Sequence, residues 1–155
     1  MDIVTRRMTE SDINRIAETF KSWGKQREQY EQYWQENLDG KRVTLVAVLD
    51  EQVIGYTNVV WHSDYEPFCE ADIPEVHDMN VITQFQKQGV GTALIKEAES
   101  VALQNGKSVM GIGVELTPIY DAAQRLYPKL GYIPDGRGTR STPWGDELYL
   151  TKILE

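Results

Sequence analysis

Residues 86–94 read Gln-Lys-Gln-Gly-Val-Gly-Thr-Ala-Leu (QKQGVGTAL), with Gly89 and Gly91 directly ahead of a long amphipathic run. Glycine weakens a helix interior, so two of them at a helix start suggest a close approach to the backbone. The first turn of a helix also carries unpaired N–H groups and a partial positive charge, which favour an anion. The stretch is not a P-loop, since no Gly-Lys-Ser/Thr follows at the required spacing, and it lacks the Gly-x-Gly-x-x-Gly of a dinucleotide site. Small residues there also let a helix pack closely on a strand. From the glycines alone, phosphate binding and close packing stand as equal readings.

Working outward, Glu75 to Ile82 (EVHDMNVI) predicts a strand just before the glycines, and Gly89 to Asn105 the helix they open. Val90, Leu94, Ala98 and Val101 form the inward stripe of that helix, and Gly106 terminates it. Upstream, Ile3 to Met8 reads as a strand, and Thr9-Glu10-Ser11-Asp12 starts a helix carrying Ile13, Ile16, Ala17 and Phe20. Glu28 to Leu38 predicts a second helix, and Arg42 to Leu49 and Val53 to Trp61 an antiparallel hairpin. His62 to Ile73 reads as a loop. Downstream come a strand (Ser108 to Glu115), a helix (Ile119 to Leu130, stopped at Gly131) and two last strands at Tyr132–Ile133 and Glu147 to Leu154. The order β-α-α-β-β-β-α-β-α-β-β describes an α/β fold of the α+β kind, a mixed sheet with helices on its faces.

The chain has 155 residues, enough for one domain spanning 1–155 with its own core. Its net charge of -8 argues against a nucleic-acid partner, whose phosphates need a basic face, and suits a cationic partner better. Cys69 is the single cysteine, so neither an internal disulfide nor a thiolate metal cluster is expected, and no metal is assigned. No apolar run nears the ~20 residues of a membrane span. The opening MDIVTRRMTESD lacks the apolar core of a secretory signal, so a cytoplasmic location is the expectation.

The strand followed by Gln86-Lys87-Gln88-Gly89-Val90-Gly91-Thr92-Ala93 resembles motif A of the GNAT superfamily of N-acetyltransferases, Arg/Gln-x-x-Gly-x-Gly/Ala. Farther on, Ala123-Gln124-Arg125-Leu126-Tyr127-Pro128-Lys129-Leu130-Gly131-Tyr132 resembles its motif B, Ala-x-x-x-Tyr-x-x-x-Gly-Phe/Tyr. The resemblance covers nearly the whole chain and implies a GNAT-like fold. It further implies that acetyl-CoA, as cosubstrate, lies along the strand Glu75–Ile82. Its pyrophosphate would rest on the backbone of Gln86, Lys87, Gln88, Gly89, Val90, Gly91 and Thr92, and its pantetheine arm on the backbone of Met79 and Val81. The family often carries an asparagine before the motif B helix, and Pro118-Ile119-Tyr120-Asp121 has none here. Pro128 also falls inside the predicted helix, where it would distort the last turns.

Acetyl transfer to an amine needs a neutral nucleophile, support for the thioester oxygen and a proton for the departing thiolate. An alkyl ammonium with a pKa of roughly 10 must first lose a proton. Counting back from Gln86, Glu75 falls where some family members carry a catalytic glutamate, with His77 and Asp78 as the other candidates. Strand alternation would put Glu75 and His77 on one face and Asp78 on the other. Tyr127 occupies the motif B position that the family uses to protonate the thiolate, although its spacing with Ala123 and Leu130 also fits a packing tyrosine. A strand N–H near Val81 would meet the oxyanion.

On the acceptor side, Asp64, Glu66, Glu70, Asp72, Glu75 and Asp78 follow one another without a lysine or arginine between Asp64 and Asp78, which would attract a cation. Among Trp23, Tyr30, Tyr33 and Trp34, at least Tyr30 and Trp34 are expected in the core. Arg137 to Trp144 reads as a turn-rich hairpin connection. The expected partner is a small, cationic amine, with a homodimer left open and neither nucleic acid nor membrane involved. The rival readings are an acetyl-CoA-binding domain without catalysis and a peptide or protein N-acetyltransferase.

Overall fold

The β-branched runs RVTLVAVL and VIGYTNVV build the central hairpin, β2 (Arg42–Leu49) and β3 (Gln52–Val60). Asp50 and Glu51 close it with φ of 48° and 66°, the two left-handed residues of a tight turn that matches strand twist. The computed structural model describes residues 2–155. Around the hairpin the sheet adds β1 (Val4–Arg7), β4 (Glu75–Val81), β5 (Val109–Glu115), β6 (Ile133–Thr142) and β7 (Gly145–Ile153), in the order β1-β2-β3-β4-β5-β7-β6. Only the β4–β5 pair is parallel, and the crossover between them is the helix α4 (Val90–Gln104) opened by the two glycines.

Two helical layers cover the sheet. On one face α4 buries Val90, Leu94, Ile95, Ala98, Val101 and Ala102 against Leu45, Ile54, Val76 and Ile112, joined by Tyr127 and Leu126 of α5 (Asp121–Lys129). On the other face α1 (Asp12–Thr19) and α2 (Arg27–Leu38) pack Ile16, Phe20, Tyr30 and Tyr33 onto Val46, Val53 and Tyr56. Tyr30 is in the core as expected, whereas Trp34 is only partly buried at its edge. Gly106, at φ 77°, ends α4 as the sequence predicts.

Two segments differ from the sequence reading. His62 to Ile73 is not all loop: Glu66–Glu70 forms a short helix, α3, whose Phe68 packs edge-on against the stacked rings of Tyr65 and Tyr149 in a separate aromatic cluster. Residues 137–142 are not a hairpin connection but the second half of β6, so the turn is confined to the end before Gly145. Gly136 and Gly138 hid this strand, because glycines read as turn residues unless a bulge absorbs them; here the β6–β7 register shifts between Pro134 and Thr139.

Gly111 of β5 seats α3. A Cβ there would run into the Phe68 ring, so any larger residue must displace that ring. Gly111→Val should therefore destabilise the protein by about 1–3 kcal/mol, read from urea unfolding midpoints. An unchanged midpoint would contradict this packing.

Candidate active site

Lys87 to Gly89 is shaped to present backbone amides, the Gln86 N–H being taken by the Thr83 carbonyl at 3.2 Å. Lys87 has φ 62° and Gly89 φ 86°, two left-handed residues that curl the chain just before α4 begins at Val90. Such alternation turns successive N–H groups inward and makes a concavity for an anion. Gln86, Lys87, Gln88 and Gly89 are exposed, while Val90 is buried and anchors the helix start. The Gln86 side chain donates from Nε2 to the Val81 carbonyl at 2.9 Å, tying the turn to the end of β4. Gly91 serves packing as well: a Cβ there would sit 3.4 Å from Met79 Cε and 3.6 Å from Leu126. The two glycines thus divide the two readings between them, Gly89 bending the chain and Gly91 letting α4 approach β4 and α5.

Beside this turn the sheet splits. β4 pairs with β5 only at Glu75↔Gly111 and Val76↔Ile112, and β5 then continues against β7 alone. Ile82 N–H donates to the Ile54 carbonyl of β3 at 2.9 Å, so alternation along β4 turns the backbone of Met79 and Val81 away from β3, toward the opening. The split leaves those groups without a strand partner on β5.

A bulge corrects the alternation expected for β4. Asn58↔His77 and Tyr56↔Asn80 leave two residues, Asp78 and Met79, opposite Thr57, and Asp78 takes φ 55°. The extra residue brings Asp78 to the α2 face, the same side as Glu75 and His77, instead of the opposite one. There its carboxylate accepts hydrogen bonds from Tyr33 Oη, from Gln29 Nε2 at 3.0 Å, from Tyr56 Oη at 3.3 Å and from Asn80 Nδ2 at 2.8 Å, with Lys25 Nζ 3.5 Å away. Burial pushes this carboxyl up, but the Tyr33 hydroxyl, the Lys25 ammonium and the Asn80 amide outweigh it and hold it below its ordinary value. A carboxylate so engaged is a poor proton acceptor.

Glu75 differs in kind. It lies at the first of the two β4–β5 paired positions, one residue before the last, and Ser63 Oγ donates to its Oε1. Burial raises its carboxyl above the ordinary value; the Ser63 bond and the nearby His77 oppose this, while the charges of Glu147 and Asp64 add to it. His77 is exposed at the same face. Glu147, which the sequence did not single out, comes from β7, where it faces Glu115 across the strands and hydrogen-bonds the Tyr149 hydroxyl at 2.5 Å. Of the six-acid run, Glu66 and Glu70 are exposed on α3 and Asp72 pairs with Lys107 at 2.8 Å. Only Asp64, Glu75 and Asp78 of that run reach the site.

Tyr127 stands on the far side of the split, on α5, 6% exposed. Its hydroxyl has no protein hydrogen-bond partner among the described residues, and burial, with a contribution from Tyr120, raises its pKa, so it stays protonated at any working pH. It lines a cleft of about 310 Å³ with Val114, Leu116 and Gln124. Gln124 Nε2 donates to the Glu115 and Thr117 carbonyls at 2.8 and 3.0 Å, which fixes α5 to the end of β5. Pro128 falls in the last turn, and α5 ends one residue later at Lys129. In the stretch lacking asparagine, the Tyr120 phenol is half-exposed, and burial with the charges of Glu115, Asp78 and Glu147 raises it. Those three acids therefore lie near enough to the Tyr120 hydroxyl for their charges to act on it.

Residues 11–132 match the Acetyltransferase (GNAT) family. The chain belongs to the GNAT acetyltransferase family. Solved GNAT structures agree in fold. Salmonella typhimurium yncA with its cofactor acetyl-CoA is 20% identical, with a TM-score of 0.77 over 99% of this chain and 94% of that one. A ribosomal-protein-alanine N-acetyltransferase from Brucella melitensis is 23% identical, with a TM-score of 0.75 over 97% and 99%. An aminoglycoside 6'-N-acetyltransferase complexed with coenzyme A is 15% identical, with a TM-score of 0.72 over 98% and 97%. A search of curated sequences returned no match. As a GNAT enzyme the protein is an acyltransferase with acetyl-CoA as its acetyl donor. The residues present fit that donor: a curled turn whose Lys87, Gln88 and Gly89 amides have no backbone partner among the described residues, a helix start behind it and a split strand pair alongside. Among the described residues, no helix is long and apolar enough to cross a membrane.

Proposed function

We propose that this GNAT enzyme transfers the acetyl group of acetyl-CoA to the primary amine of a small cationic molecule, by direct attack of the amine on the thioester. The observation that carries this reading is the set of carboxylates on one face at the split, Glu75, Asp78 and Glu147, with Asp64 close by. Their summed charge favours an ammonium over a neutral or anionic acceptor. The similar aminoglycoside enzyme acts on a polycationic class of molecule, which supports the same direction.

In this reading the backbone of Gln86, Lys87, Gln88, Gly89, Val90, Gly91 and Thr92 holds the pyrophosphate, and Met79 and Val81 offer backbone groups to the pantetheine arm. Glu75 is the general base, since burial raises its carboxyl above the ordinary value and so strengthens it as a proton acceptor. His77 is placed to relay a proton at the same face. Asp78 does not take the proton, because its lone pairs are occupied; it holds positive charge near the acceptor amine. The N–H of Val81 supports the thioester oxygen as it gains charge. Tyr127 donates a proton to the leaving sulfur.

Tyr127→Phe should lower turnover roughly tenfold or more while acetyl-CoA affinity stays unchanged. The effect is moderate because a thiol, with a pKa of roughly 8.5, already leaves fairly well. The fold should tolerate the change, since that hydroxyl bonds no protein group. Full turnover in the variant would remove Tyr127 from the reaction. The acceptor class is tested by thiol release from acetyl-CoA with polyamines, aminoglycosides, amino acids and basic peptides. Fastest release with the polyamines or aminoglycosides supports the proposal. Fastest release with peptides would favour the protein N-acetyltransferase reading, and release with none would favour a non-catalytic acetyl-CoA-binding domain.

A further inference from the structure

Lys25 lies between Gly24, at φ 73°, and the start of α2, and its side chain is 25% exposed. Its ammonium reaches into the site to within 3.5 Å of Asp78 Oδ1. Asp78 directly precedes Met79, whose backbone turns toward the strand split. A primary amine of the protein itself therefore stands one residue from the backbone assigned to the acetyl donor. Among the described residues, no other lysine forms a salt bridge with a carboxylate of β4: Lys21 pairs with Glu18, Lys107 with Asp72 and Lys152 with Glu99. Lys25 does not stabilise the Asp78 carboxylate alone, since Tyr33, Gln29, Tyr56 and Asn80 already bond it. The ion pair can open without leaving Asp78 unpartnered.

We infer that Lys25 is a self-acetylation site, an internal acceptor that takes the acetyl group when no free amine competes. This rests on the placement of the donor along β4 proposed above. In the step, the Lys25 ammonium loses a proton and its lone pair attacks the thioester carbonyl carbon. The N–C bond forms, the C–S bond breaks, and the electron pair goes to sulfur. The amine nitrogen gives up a second proton as the sulfur takes one, so the products are acetyl-lysine, coenzyme A thiol and one proton released to solvent. Acetylation removes the charge of Lys25 and with it the ion pair to Asp78.

The test is incubation of the full chain with acetyl-CoA and no amine, followed by peptide mass mapping over time. The expected result is one acetyl group on Lys25, formed at a first-order rate that does not depend on protein concentration. A polyamine added in excess should slow it. Lys21, exposed and four residues away, reports the uncatalysed background, and Gly89→Asp should lower modification of Lys25 to that background. Lys25 modified no faster than Lys21 would overturn the inference, as would a rate rising with protein concentration. Acetyl-CoA binding by calorimetry, run in parallel, separates the two failures. Binding with Lys25 unmodified sinks self-acetylation alone, whereas absent binding sinks the donor placement as well.

Discussion

Glu75→Gln should lower turnover with the preferred amine by roughly 10²-fold or more, the usual contribution of a positioned acid or base. Glutamine keeps the shape of the side chain and can still accept the Ser63 hydrogen bond, so acetyl-CoA affinity and the fold should hold. The pH profile makes the prediction specific. A general base works only when ionised, so kcat/KM must fall as pH drops through its pKa. Burial and the charges of Glu147 and Asp64 raise the Glu75 carboxyl, so this acidic limb should lie above the ordinary glutamate value of roughly 4.3. The limb should vanish in Glu75→Gln. Ser63→Ala should shift it to higher pH, because the Ser63 bond is the larger of the two effects, with His77, that oppose the rise. An acidic limb that survives in Glu75→Gln would transfer the role to His77 or to a water.

The donor side should respond as strongly. Gly89→Asp places a carboxylate where the pyrophosphate is proposed to rest, at a residue whose φ of 86° already disfavours a side chain. No atom lies within 4 Å of a Cβ there, so the fold bears only the left-handed backbone strain of about 1–2 kcal/mol, and the charge falls on the ligand. Two unit charges about 4 Å apart at a protein surface repel by about 4 kcal/mol before salt screening. With each 1.4 kcal/mol worth a factor of ten, about 100-fold weaker acetyl-CoA binding remains after screening is allowed for. Gly91 would not separate the effects so cleanly, because a side chain there also meets Met79 and Leu126.

The strand-helix-strand unit around Gly89 was legible because its signals are local. A β-rich run, a glycine pair and a helical stripe each follow from residues close in sequence, and α4 buries Val90, Leu94, Ala98 and Val101 as that stripe predicts. The central hairpin was legible for the same reason. The bulge at Asp78 was not, because nothing in EVHDMNVI departs from alternation; the network from α2, Tyr56 and Asn80 selects the extra residue. Glu147 was invisible as a site residue, since it reaches Glu75 only through the β5–β7 pairing, many residues away. Lys25 and Tyr33 meet Asp78 across a comparable distance. The proposed donor half lies within one continuous stretch plus Tyr127, whereas the proposed acceptor half is assembled from α2, β4 and β7. Short-range patterns report the first and miss the second.

Whether the pyrophosphate rests on the Gln86–Thr92 turn is read by isothermal titration of acetyl-CoA into the wild-type chain and Gly89→Asp, with urea unfolding of both as a control. Saturable binding to the wild type and about 100-fold weaker binding to the variant are expected, with an unfolding midpoint lowered only by the left-handed strain of about 1–2 kcal/mol at residue 89. Equal affinity in the two proteins would contradict it, because the pyrophosphate would then have to lie away from the Gln86–Thr92 turn.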